Sequence, residues 1–220
     1  MKFVYAIIVI LGLLALILLG WGLSRGAKTI DELLTKNKAL KQAISNLTVE
    51  EQIGYAKVVK QEIDENGKLF STILFVETAR NDKLKKVLEH EYIVEGDIIH
   101  FDALIVSFDN YLVTNGKRKA LYLWRRIYSD CMAPETGFAI ESKGQEPKRY
   151  AQFLKLLDKK DRQLFWQEIW KLADNPDALK DYQIKAIYGN VVYKKMQPGF
   201  VYIFKIDGKG QVYPETIIDI

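Results

Sequence analysis

Residue types able to do acid–base, metal or nucleophilic chemistry are sparse in this sequence. Its only histidines are His90 and His100, and its only cysteine is Cys131. The densest constellation surrounds His100. Val87–Val94 and Asp97–Val106 read as strands flanking Glu95-Gly96, and a two-residue turn there predicts a hairpin. With Val94 opposite Asp97, Ile93 meets Ile98, Glu91 meets His100 and Glu89 meets Asp102. The period of two then places Glu89, Glu91, His100 and Asp102 on one sheet face. One imidazole and three carboxylates could ligate a divalent metal such as zinc or manganese, or hold a general acid–base pair. The competing reading is a solvated face where a surface histidine gains a little from nearby acids. A three-residue turn would shift the register and disperse the set. His90 falls on the other face, beside Leu88 and Tyr92.

A second group is aromatic and basic. Alternation along the strand Lys119–Tyr128 puts Tyr122, Trp124, Arg126 and Tyr128 on one face, a mixture suited to an anion, a glycan or a partner protein. The alternative is a cation–π ladder on an ordinary sheet. Trp166 and Trp170, with Tyr150, Phe153 and Phe165, make an aromatic helical face that could line a pocket, dock on a membrane or pack as core. Trp124, Arg126, Trp166 and Trp170 are thus the candidate ligand or partner surface. Cys131 has no base near it in sequence, so it reads as a bystander thiol. The sequence contains no Gly-x-Gly-x-x-Gly, no phosphate-binding Gly-x4-Gly-Lys-Ser/Thr, no Gly-x-Ser-x-Gly and no His-Glu-x-x-His. No catalytic residue and no organic cofactor is assigned, and the balance leans away from an enzyme.

The elements that must carry these residues fall into three parts. The chain has 220 residues, 49% hydrophobic and 27% charged, with 12% aromatic, too apolar for a disordered protein. One cysteine excludes an internal disulfide framework, a cysteine-based structural zinc site and a cysteine-ligated cluster. A net charge of +4 gives no case for nucleic acid. Residues 1–24 read as a single-pass transmembrane signal-anchor. The run from Phe3 to Leu23 is uncharged and, at ~1.5 Å per residue, spans roughly 30 Å, about one hydrocarbon core. Trp21 falls in the interfacial belt. The run is longer than the apolar region of a cleaved signal, and no Ala-x-Ala follows. A short basic N-terminal tail before a long apolar run favours an extracytoplasmic, periplasmic domain. The lysines after the run argue for the cytoplasmic orientation.

Residues 25–50 read as a helical coiled-coil stalk. Ile30, Asn37 and Ile44 fall at a positions, and Leu33, Leu40 and Leu47 at d, over fewer than three heptads. Asn37 matches the polar a residue that fixes register in parallel dimers. The partner through residues 30–47 is a second copy or another membrane protein; the alternative is a helix packed on its own domain. Residues 51–220 read as one α+β domain, a mostly antiparallel sheet of six to nine strands with a helical insertion at about 147–181. Hairpins are expected at Asp64–Gly67, Glu95-Gly96, Asn115-Gly116, Gln197–Gly199 and Asp207–Gly210. The order of anchor, short coiled coil and β-rich domain is similar to that of bacterial envelope scaffold proteins. The leading function is a non-enzymatic, membrane-anchored envelope scaffold or binding subunit. The alternatives are a metal-dependent or acid–base enzyme centred on His100, and a carrier of an apolar ligand.

Overall fold

The structure is a computed structural model that describes residues 35–80, 82–142, 144–150, 163, 165–169 and 184–219. The anchor residues Phe3, Trp21 and Leu23, the stalk positions Ile30 and Leu33, and Trp170 lie outside the described residues. Among those described, no helix is long and apolar enough to cross a membrane. The chain divides into two units, Met1–Ser45 and Asn46–Ile220.

In the first unit the described residues belong to a helix, α1, which runs over residues 35–48 and so continues three residues into the second unit. It has no acidic residue and three lysines, Lys36, Lys38 and Lys41. Leu40 is 61% exposed and Ile44 51% exposed.

The second unit is mostly antiparallel β-sheet with a few short helices. Its strands are β1 (Glu51–Ile63), β2 (Leu69–Ala79), β3 (Asp82–Glu95), β4 (Ile98–Phe108), β5 (Leu121–Ser129), β6 (Phe138–Ala139), β7 (Ile184–Lys195), β8 (Phe200–Ile206) and β9 (Val212–Ile218). They form two sheets rather than one, a five-stranded sheet in the order β3-β2-β1-β8-β9 and a four-stranded sheet in the order β6-β5-β4-β7. Alternation places one face of each sheet inward, and those faces interdigitate as a sandwich core. Ile73, Phe75, Tyr202 and Phe204 come from the first sheet, and Ile99, Phe101, Tyr122 and Trp124 from the second. Phe75 meets Trp124 edge-on with ring centroids 5.2 Å apart, and Phe101 meets Phe204 at 4.6 Å.

A second apolar cluster lies on the outer face of the four-stranded sheet. Leu104, Val106, Leu121 and Leu123 are covered there by α2 (Asn110–Thr114), by Tyr150 and by helical residues Phe165, Trp166 and Ile169. Leu47 packs on the same cluster. Asn46 donates from Nδ2 to the Thr114 carbonyl at 2.8 Å. Gly208 lets that backbone close in, since a Cβ there would lie 2.1 Å from the Asn46 carbonyl oxygen. The end of α1 therefore belongs to the sandwich.

The turns divide into those that make hairpins and those that cross between sheets. β1–β2 and β8–β9 pair as expected around Asp64–Gly67 and Asp207–Gly210. Glu95-Gly96 does not make a hairpin: β3 pairs with β2, and β4 pairs with β5 and β7. The chain instead crosses from one sheet to the other at Gly96, at φ +94°. The physical reason is visible along β4. Leu104, Ile105 and Val106 are apolar on both faces, as befits a strand with neighbours on both sides, whereas β3 opens on Asp82–Lys86, the polar profile of an edge. Residues 111–114, expected as a strand, form α2, and Gln197–Gly199 also joins the two sheets.

Candidate functional site

Two groups of side chains on the sandwich have the density of charge and aromatic surface that a site needs. The first is interior. Ile73 and Phe75 point into the core, and the same parity carries Glu77 inward, where it is fully buried. Arg149, on a 3-10 turn over Lys148–Tyr150, lies 3.0 Å from Glu77 Oε1 through Nε and donates from Nη1 to Oε2 at 3.2 Å. Its other side grips Glu141, Nη1 to Oε1 at 2.5 Å and Nη2 to Oε2 at 2.9 Å. Nη2 also donates to the Tyr122 carbonyl at 2.7 Å, and the guanidinium sits 4.6 Å from the ring centroids of Tyr122 and Tyr150. The Tyr122 hydroxyl donates to Glu77 Oε1 at 3.0 Å.

Two carboxylates thus share one buried guanidinium, and the cluster is charge-balanced when one of them holds a proton. Burial raises the Glu77 carboxyl to about 7; Arg149 opposes this and the Glu141 charge adds to it. Burial alone would lower the pKa of Arg149, but Tyr150, Glu141 and Glu77 hold it higher than usual. A cleft of about 370 Å³ opens above, lined by Glu77, Leu88, His90, Glu141, Gln145 and Arg149 among others. Both Glu77 oxygens are engaged by Arg149 and Tyr122, so the group acts first as a pin. It fastens the five-stranded sheet to β5 and to the loop that carries Arg149.

The second group is on the outer face of the four-stranded sheet, in the half that the second apolar cluster leaves open. Asp102 is buried and accepts from two arginines: Arg125 through Nε at 3.0 Å and Nη2 at 2.5 Å, and Arg126 through Nε at 3.1 Å. Both arginines reach one carboxylate because the β4–β5 register shifts there. Asp102 faces Arg126, Ala103 faces Trp124, and Arg125 is the extra residue of a bulge. Arg126 is pinned again by Nη1 to the Pro134 carbonyl at 2.7 Å. Arg125 lies over Gly189, where a Cβ would come within 2.7 Å of Nη2. Beside them, Tyr128, His100 and Tyr193 occupy one row across β5, β4 and β7. His100 stacks on Tyr128 at 4.8 Å and 6°, and on Tyr193 at 5.5 Å and 29°.

These placements revise the expected sites. Glu89 and Glu91 are exposed on β3 in one sheet, while His100 and Asp102 stand on β4 in the other. The four do not meet, and among the described residues no group of three or more histidine, cysteine, aspartate or glutamate side chains could hold a metal ion. Trp124 is not a surface residue: the bulge at Arg125 breaks the alternation, so Trp124 and Ile127 both face the core while Arg126 and Tyr128 face out. Trp166 is buried as well, stacked on Tyr150 at 5.7 Å. Of the proposed surface residues among those described, Arg126 alone lies on an open face. Asn37, Leu40 and Ile44 are exposed on α1, but Leu47 is half-buried against the sandwich. Cys131 is exposed, and desolvation followed by the Asp130 charge raises its thiol pKa, the opposite of an activated nucleophile.

Sequence reasoning passed over Glu77, Glu141 and Arg149, although the inward parity of Glu77 after Ile73 and Phe75 was a usable signal. Against protein families, curated proteins and solved structures, the chain has no match.

Proposed function

We propose that this protein is a membrane-anchored binding subunit of a cell envelope. Residues 3–23 would hold it in the bilayer, α1 would meet a partner helix, and the sandwich would stand outside the cytoplasm as the binding head. The observation that carries this reading is the pair Leu40 and Ile44. They are two large apolar side chains one turn apart, both more than half exposed, on a helix that follows a membrane-length apolar run. A binding rather than catalytic head is favoured because the carboxyl best tuned for proton transfer, Glu77, has both oxygens engaged in a pin between the sheets.

The charges beside the stripe favour a different protein over a second copy. Over residues 35–48 α1 carries three lysines and no acidic residue, so a parallel self-pair brings two basic helices together. An acidic helix of another membrane protein removes that conflict. The test is co-purification of full-length protein from native membranes, with mass determination. A stoichiometric partner that is lost in the double variant Leu40→Asp, Ile44→Asp supports the reading. A partner retained at full stoichiometry by that variant, or no partner at all, overturns it.

A further inference from the structure

We infer that the open half of the four-stranded sheet is a binding site for an acidic saccharide, whose carboxylate is taken by Arg125 and Arg126 and whose ring lies against Val191 and Tyr193. This rests on the reading of the sandwich as a binding head, and it names the ligand class and the site.

The argument starts from charge. Buried Asp102 pairs with two guanidiniums, so the clamp itself has one more positive group than negative. The arginines are fixed before any ligand arrives. Asp102 takes Nε and Nη2 of Arg125 and Nε of Arg126, the Pro134 carbonyl takes Nη1 of Arg126, and Gly189 leaves the space in which Arg125 lies. Among the described residues, Nη1 of Arg125 and Nη2 of Arg126 have no hydrogen-bond partner, and both side chains are part-exposed. A preorganised guanidinium fork with spare donors matches the planar geometry of an oxyanion, and little side-chain entropy remains to be lost on binding.

The apolar half of the site is adjacent. Val191 is opposite Asp102 and Tyr193 is opposite His100 in the β4–β7 register, so both stand on the arginine face. Tyr193 is 66% exposed, and its ring closes the Tyr128–His100–Tyr193 stack. Arg125 reaches over Gly189 on β7, toward the strand that carries Val191 and Tyr193. A clamp of two arginines takes one carboxylate at a time, whereas a nucleic acid calls for a basic stripe. An extended acidic peptide would instead add its backbone to the edge strand β7 and leave the arginine clamp unoccupied, so the peptide probe below separates the two modes.

The test uses full-length protein in detergent and three probes: a short oligogalacturonate, its fully methyl-esterified form, and an acidic peptide. The oligogalacturonate should bind, weaken as salt rises, and lose at least about tenfold in affinity with Arg125→Lys, which keeps the charge and removes the fork. Tyr193→Ala, at an exposed position that leaves the fold intact, should weaken it several-fold. No binding of the oligogalacturonate, equal binding of the ester, preference for the peptide, or unchanged affinity in both variants overturns the assignment. Co-purification of the membrane partner is measured on the same variants, so failure of the saccharide site is separable from failure of the anchored-subunit reading.

Discussion

At the scale of single residues, Glu77 has the sharpest consequence. In the unfolded chain its carboxyl titrates near 4.5, and in the sandwich burial holds it at about 7. Between those values the folded protein binds more protons than the unfolded one, so this group makes stability fall as pH rises from about 4.5 to above 7. The gap corresponds to an effect on the order of 3 kcal/mol. Glu77→Gln keeps an oxygen for the Tyr122 hydroxyl and removes the titration. Urea unfolding at pH 5 and pH 8 should therefore show a smaller pH difference in the variant than in the parent. An identical difference in both would mean that the Glu77 carboxyl stays ionised across the whole range, held by Arg149. The same residue shows why a site can be missed in a sequence. Glu77 looks like the polar end of an apolar strand until Arg149, 72 positions away, is folded against it.

At the scale of elements, what was legible was whatever depends on neighbours in the chain. The β1–β2 hairpin follows from Asn66-Gly67, with Gly67 at φ +79°, and the β8–β9 hairpin from the Asp207–Gly210 turn. Glu95-Gly96 and Gln197–Gly199 carry the same local signals, yet they cross between sheets. A turn dipeptide specifies a change of direction, and the partner of each strand is settled by which faces need covering. The candidate metal face depended entirely on one pairing and dissolved with it. The bulge at Arg125 likewise turned Trp124 inward and made the double arginine clamp, which strict alternation could not anticipate. The heptad pattern likewise spans two environments, since Leu47 packs on the sandwich while Leu40 and Ile44 are more than half exposed. Leu47→Asp should lower the unfolding free energy of the protein by about 1–3 kcal/mol, because it places a charge against the outer apolar cluster. Leu40→Asp, at an exposed position, should change it by less than about 0.5 kcal/mol. Equal effects of the two substitutions on chemical unfolding would show that α1 does not divide there.

At the scale of the whole molecule, the proposed anchor puts the sandwich on one side of a membrane, and the protein carries its own probe for which side. Cys131 is the only cysteine in the chain and it is exposed, just beyond β5. Its thiol pKa is raised above 9.0 by desolvation and by Asp130, so the reactive thiolate is a minor species at neutral pH. Labelling with a charged, membrane-impermeant maleimide at mildly alkaline pH will be slow but specific to this position, with Cys131→Ser as the blank. An extracytoplasmic head predicts labelling in intact cells, or in spheroplasts where an outer membrane blocks access, to the same extent as after lysis. A cytoplasmic head predicts labelling only after lysis. The outcome also bears on the ligand. Wall and surface saccharides lie outside the cytoplasm, so a head that labels only after lysis could not meet them in the cell. The fork of Arg125 and Arg126 would then have to serve a cytoplasmic anion, and the arginine variants should leave saccharide-dependent behaviour of intact cells unchanged.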